Sequence, residues 1–302
     1  MHTRNLRADA TLLLVAAIWG FAFVAQSLGM ETLGPFGFNG IRFAVGVVSL
    51  LPLLWFIPCA IGSEGGKKFW LGGFVAGLFL FMGSATQQVG LLWTTAGNAG
   101  FITGLYVVLV PLIGIFFAQR TGKWTWLGAA VAVIGLYLLS VGPDFSINKG
   151  DMWVLMSAGF FAGHVLVIGS LAKKLDNLRL AIWQFVVCAV LSMAVAMIRE
   201  LDTLTIENVR STAWPIAWAG IASVGIAYTL QIYAQKDAPP SHAAIIMSLE
   251  SVFAAIGGAL ILGEVLDNRG LIGCSLMLAG MLLSQTPLFF NDRKRRSVPS
   301  QS

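Results

Sequence analysis

Three ionisable side chains, Glu250, Arg42 and His164, fall inside long apolar runs. In lipid such groups are costly, and they face a cavity or a partner. Glu250 lies about nine residues into its run, roughly 14 Å at helical rise and close to the midplane of a bilayer. A carboxyl at that depth suits proton coupling or substrate binding. The competing reading is a structural glutamate bonded to a neighbouring helix or a broken backbone. Arg42 lies roughly 10 Å into its own run, counted from the opposite membrane face. It could pair with Glu250, hold an anionic group or donate to helix-end carbonyls. The unperturbed pKa of a histidine would allow His164 to titrate at physiological pH, which suits a cavity role, against the alternative of a satisfied interhelical hydrogen bond.

Neutral polar and aromatic residues share helical faces with these three. Trp19, Phe23 and Gln26 follow an i, i+4, i+7 spacing. Tyr228, Gln231 and Gln235 share a second face, with Gln87 and Gln88 in a matching place earlier in the chain. Tyr106 lies on the run that begins near Asn98, and Met247 and Ser251 share a side with Glu250. Together they describe a pocket with aromatic walls and a few amide or hydroxyl groups, suited to a small solute with an apolar body and a polar end. The competing reading places several of them between helices or in the interfacial belt. Pro111 and the pair Gly257, Gly258 are expected to bend their helices and gate that pocket. His2 and His242 lie near membrane ends. No HxxxH, HExxH or Cys/His cluster exists, so neither metal nor cofactor is expected. Cys59, Cys188 and Cys274 are odd in number, form no CxxC and read as small apolar filler.

The elements that must position these residues follow from composition. Of 302 residues 57% are hydrophobic and only 11% charged, against about 25% charged in a soluble domain. The mean hydropathy is +0.81. Such a chain cannot cover a water-facing surface, which excludes a soluble enzyme, a disordered chain and a nucleic-acid binder despite a net charge of +5. Ten apolar runs of transmembrane length lie near 9–29, 35–57, 69–93, 98–118, 124–141, 151–172, 180–198, 213–235, 241–263 and 270–289. They are apolar all round rather than alternating, as helices in lipid are and barrel strands are not. The fold class is therefore all-α integral membrane. The first run follows two arginines without a small-residue cleavage site, and is read as a span rather than a signal peptide.

Lys and Arg set the orientation. Numbering the connections alternately puts 14 of the 19 on one side and 4 on the other, with Arg42 inside the second span. This positive-inside pattern predicts a multi-pass inner-membrane protein with both termini cytoplasmic. The cluster 293–296 is read as a topology anchor, with a cationic lipid-binding patch as the alternative. Trp93, Trp124, Trp126 and Trp153 fall at span ends, as belt residues do. Gly73/Gly77, Gly100/Gly104 and Gly159/Gly163 are spaced for close helix approach.

The chain also repeats at an offset of about 141 to 145 residues. Ile41-Arg42-Phe43 corresponds to Trp183-Gln184-Phe185, Gln87 to Gln231, and Asn98–Ile102 to His242–Ile246. Gly128 and Gly135 correspond to Gly273 and Gly280. Each unit holds five spans, an odd number, so the second must enter the membrane from the opposite face. Inverted-topology repeats of this kind recur in secondary transporters. The expected units are 1–146, 147–290 and a basic cytoplasmic tail, 291–302.

Ala16-Ala17-Ile18-Trp19-Gly20, Arg42-Phe43, Pro240-Ser241-His242-Ala243-Ala244, the segment Ser248–Ala255 and Leu262-Gly263-Glu264 together resemble the EamA-domain family of the drug/metabolite transporter superfamily. The resemblance covers residues 10 to 286. It implies ten helices in two inverted five-helix repeats around a central cavity, with helices 5 and 10 peripheral, and bacterial relatives that export amino acids or other small metabolites. Two positions depart from the family pattern. Ser251 stands where proline often follows the glutamate, and Gln119 where glutamate often ends the fourth helix.

The expected function is secondary transport of small metabolites, amino acids or similar amphipathic solutes, by alternating access and in the export direction. Within the same fold the alternatives are a multidrug exporter or a lipid-linked sugar flippase. The expected partners are the lipid bilayer, a small-molecule substrate and protons as a candidate coupling ion; nucleic acid is not expected, and the protein is expected as a monomer or weak dimer. No GxxxxGK[ST] sequence serves ATP-driven transport, and no GxSxG or HExxH motif serves an intramembrane enzyme.

Overall fold

A computed structural model describes residues 2–57, 66–115, 123–140 and 148–284. Cys59, Gln119 and the tail 291–302 lie outside the described residues. Among those described the chain is helical throughout, without a strand. The helices are α1 (His2–Gly29), α2 (Pro35–Leu50), α3 (Leu53–Phe56), α4 (Lys67–Gly90), α5 (Ala96–Gly104), α6 (Tyr106–Gly114), α7 (Lys123–Ser140), α8 (Lys149–Leu171) and α9 (Asn177–Arg199). There follow α10 (Ile206–Ser211), α11 (Ala213–Ala217), a π-helical stretch π1 (Trp218–Tyr228), α12 (Thr229–Gln235), α13 (Pro240–Met247), α14 (Glu250–Gly257), a second π-helical stretch π2 (Gly258–Leu262) and α15 (Asn268–Ser284).

Among the described residues eight helical stretches are long and apolar enough to cross a membrane: α1, α2–α3, α4, α5–α6, α8, α9, α11–α12 and α13–π2. The fifth and tenth expected spans are shorter apolar helices, within α7 and α15. The protein is thus a multi-pass membrane protein whose outer surface carries Trp55, Val133, Ile198 and Leu260. Trp93, Trp124, Trp126 and Trp153 are exposed at helix ends. Pro35 and Pro240 open α2 and α13, where a missing N–H costs nothing.

Three of the expected spans are interrupted. Leu51 and Pro52 separate α2 from α3, since proline cannot continue the ladder. The fourth and ninth break at their middles. Leu105, between α5 and α6, has φ −61° and ψ −13°; Leu249, between α13 and α14, has φ −62° and ψ −11°. At both places i→i−3 bonds replace the helical pattern: Leu105 N to Ile102 O and Val108 N to Leu105 O, Leu249 N to Ile246 O and Val252 N to Leu249 O. The local settings differ. In the first, no local side chain explains the turn: Pro111 and the carbonyl its ring would crowd, that of Val107, both lie inside α6. In the second, Ser248 and Ser251 turn their hydroxyls onto the carbonyls of Ile245 and Ser248, an arrangement that bends helices.

The packing is settled by small residues and by carboxylates at helix starts. A Cβ added to Gly135 would lie 2.6 Å from Gly273 O, and one added to Gly280 2.5 Å from Gly128 O, so α7 and α15 meet backbone to backbone and antiparallel. Gly77 faces Val187 and Gln184 of α9, and Gly100 faces Ala254 and Ser251 of α14. The Gly159/Gly163 pair is only half an interface: Gly163 faces Phe79, whereas Gly159 has nothing within 4 Å. Glu200, at the end of α9, accepts from Phe36 N (3.0 Å) and Gly37 N (2.7 Å) of α2. Glu264 accepts from Ala96 N (2.7 Å) and Gly97 N (2.9 Å) of α5. Each carboxylate meets the donors and the positive end of a helix dipole. α2 therefore runs antiparallel to α9, and α5 antiparallel to α14.

Candidate functional site

The two mid-helix breaks deliver the first site residues. Tyr106 is the first residue of α6 and Glu250 the first of α14. Each follows the point where the backbone turns, and both side chains line one small cavity. The cavity is also lined by Trp19, Phe23 and Gln26 of α1, Arg42 of α2, Gln87 of α4, His164 of α8, Tyr228 of π1 and Gln231 of α12. Met247 and Ser251 are not among its lining. Met247 is packed in the core with none of its surface exposed, and Ser251 spends its hydroxyl on Ser248 O. The spacing that put Met247 on a side with Glu250 fails because the helix breaks at Leu249, between them.

Four of the lining side chains are tied to the scaffold. His164 Nε2 lies 2.9 Å from Gln184 Oε1 of α9, the interhelical bond that was its alternative reading. Gln87 Nε2 donates to Thr103 Oγ1 at 3.0 Å. Trp19 Nε1 donates to Ser223 O at 3.3 Å, and its ring stands 4.6 Å from that of Tyr228. Tyr228 also meets Phe43, Phe185 and His164, which fixes an aromatic wall. Gln88 and Gln235 serve between helices, donating to Gln26 O and Val165 O.

Other polar groups at the cavity are buried and open. Gln26 Oε1, Gln231 Nε2 and Oε1, Tyr106 Oη, Arg42 Nε and Glu250 Oε1 make no hydrogen bond. The Tyr106 hydroxyl and the Glu250 carboxyl face each other and interact across the cavity. The Arg42 guanidinium lies over the rings of Phe43 (5.2 Å) and Phe38 (5.8 Å). Neither Arg42 nor Glu250 is in an ion pair among the described residues, so their pairing with each other, open from the sequence, is absent. Buried polar atoms are normally satisfied, and a group of them around one hollow marks a place for a polar guest.

Ala22, Thr103, Phe161, Val165 and Ser223 also line the cavity and carry no signal in the sequence. Small or apolar residues look like lipid-facing filler until the packing is known. Ser223 enters because π1 widens the helix around it; π-helical turns are rare and occur largely at functional sites. Pro111 stays inside an uninterrupted α6, and the break lies a turn and a half before it. Gly257 and Gly258 mark the change from α14 to π2. No group of His, Cys, Asp or Glu among the described residues is arranged to hold a metal.

Known proteins resemble the chain along nearly its whole length. An uncharacterized transporter of Archaeoglobus fulgidus is 33% identical over 287 residues, which cover 93% of this chain and 86% of the relative. The threonine/homoserine exporter RhtA of Salmonella typhimurium is 22% identical, with 89% and 88% covered. A crystal structure described only as that of a protein shares the fold, with a TM-score of 0.71 at 16% identity over 93% of this chain and 98% of the other. The sequence pattern of the EamA-like transporter family matches residues 6–141 and again 148–286. The chain belongs to the EamA-like transporter family, in the drug/metabolite transporter superfamily, and is a membrane transporter rather than an enzyme.

Proposed function

We propose that the protein is a secondary transporter that moves small amphipathic metabolites, amino acids foremost, out of the cytoplasm across the inner membrane by alternating access. The observation that carries this reading is a cavity between the helices, lined by Tyr106 and Glu250 at two mid-helix breaks and by unsatisfied polar atoms. Broken helices at membrane depth are tolerated where they line a cavity, and they are a regular feature of transporter sites.

Two inverted five-helix repeats, 1–146 and 147–290, are part of this reading. Helix direction supports it: α2 against α9, α5 against α14 and α7 against α15 are all antiparallel. These are the second, fourth and fifth spans of each proposed unit. The packing supports it too, since α4 lies on α8 as α12 lies on α1. Two similar units of opposite orientation can exchange conformations, which opens the cavity first to one side and then to the other. Both termini lie in the cytoplasm on this reading. Export of threonine and homoserine by RhtA and the amphipathic cavity favour amino acids as cargo, and the monomer is complete because one chain lines the cavity.

Purified protein in liposomes, assayed with radiolabelled amino acids, tests the proposal. Time-dependent, saturable uptake into the lumen is expected. Uptake equal to that of protein-free liposomes for every amino acid and amine tried would remove transport of such solutes.

A further inference from the structure

The cavity is electrically polarised, and its charge is divided between the two units. Arg42 and Glu250 are each 3% exposed and line the same hollow. They are not ion-paired with each other, and each presents an orphan polar atom, Nε or Oε1. At the repeat offset, Arg42 corresponds to Gln184 and Glu250 to Tyr106. The positive charge thus has a neutral amide as its counterpart, and the negative charge a neutral phenol. Two other corresponding pairs, Trp19 with His164 and Gln87 with Gln231, also line the cavity. The site is near-symmetric in shape and asymmetric in charge.

Charging these two groups apart is expensive, since each would meet a desolvation cost of several kcal/mol without the Coulomb return that pairing brings. A solute that satisfies both must itself carry two opposite charges held apart. A cation meets Glu250 and is repelled by Arg42, an anion does the reverse, and an uncharged sugar serves neither. We infer that the cavity selects zwitterions, with Arg42 taking the carboxylate and Glu250 the ammonium of an α-amino acid whose side chain lies against Phe23, Phe161 and Tyr228. The inference rests on the proposed transport function and deepens it, because it assigns the two ends of the substrate. It also sets the site apart from that of an exporter of lipophilic cations.

The test uses full-length protein purified in detergent. The twenty common L-amino acids are titrated singly by calorimetry. The amide and the N-acetyl derivative of the tightest binder follow; the first lacks the carboxylate and the second the ammonium. At least one amino acid should bind, and each derivative should bind about 10- to 100-fold more weakly, as loss of a charge-assisted hydrogen bond requires. Arg42→Gln should abolish discrimination against the amide and leave discrimination against the N-acetyl form. Glu250→Gln should do the opposite, and Arg42→Lys should retain the order of the native protein. If a variant does not fold, the derivative series on the native protein decides alone. Equal binding of amino acid and amide, or no binding by any of the twenty, overturns the inference. In that event, liposome uptake of tetraphenylphosphonium would leave the transporter reading standing with a different substrate class. Absence of uptake for it and for every amino acid would remove the transport reading as well.

Discussion

At the residue scale, the site is built from side chains whose bonding is incomplete by design of the surrounding packing. His164 and Gln87 spend their polar atoms on Gln184 and Thr103, which leaves them as scaffold with one face to the cavity. Gln231, Tyr106, Glu250 and Arg42 keep open atoms. Glu250 is the one carboxyl among the cavity-lining side chains, and the titratable and charged groups that share its hollow are Tyr106, Tyr228, His164 and Arg42. If protons are exchanged for substrate, Glu250 and His164 are the cavity groups able to take them, and Glu250 is the one whose substitution is tested first. Glu250→Gln is therefore expected to flatten the pH dependence of liposome transport between about pH 5 and 9, a range that spans perturbed carboxyls. A profile that keeps its native shape in the variant would assign Glu250 to substrate or structure alone.

At the element scale, the fourth and ninth spans are each two half-helices that turn at the same backbone angle, at Leu105 and Leu249. We propose these turns as the hinges of the gating motion, with Pro111 in the half-helix after the first of them and Gly257 and Gly258 softening the second span beyond its break. Replacing the proline ring inside α6 with alanine stiffens that half-helix, which leaves less bend for the hinge at its start. Pro111→Ala should reduce turnover by about tenfold and change KM with it, since hinge substitutions move both together. Unchanged transport kinetics with a properly folded variant would remove Pro111 from the gate. The sequence located the proline and both glycines. It did not locate the breaks, because one arises upstream of the proline and the other from two serines bonding backward.

At the scale of the whole molecule, one end is latched by carboxylates. Glu200 holds the start of α2 and Glu264 the start of α5, while Asp151 and Thr94 bond beside them. On the proposed topology this is the outer face. At the opposite end His242 meets Asp9 at 2.7 Å, with both side chains about a third exposed. Alternating access requires the outer contacts to part while the inner end closes. In a cysteine-free background, a cysteine at Gln26 should react with a membrane-impermeant maleimide only from outside, and one at Gln231 only from the cytoplasmic side. Substrate should shift the two rates in opposite directions. Labelling of both positions from the same side, in every condition, would be incompatible with the alternating cycle.

Composition and the lengths of the apolar runs were enough to make this chain an all-helical membrane protein, because a bilayer imposes its demands locally: each span must be long, apolar and internally hydrogen-bonded. Most of the cavity was legible for the same reason, since a polar residue at membrane depth has few places to face other than a protein interior. Only the tertiary structure decided which of those residues meet. It removed Met247 and Ser251 by breaking the helix before Glu250, added Thr103, Phe161 and Ser223, and kept Arg42 and Glu250 unpaired within one hollow. Those outcomes depend on helix breaks, a widened π turn and the approach of distant helices, which are settled by packing across the whole chain and leave no local pattern to read.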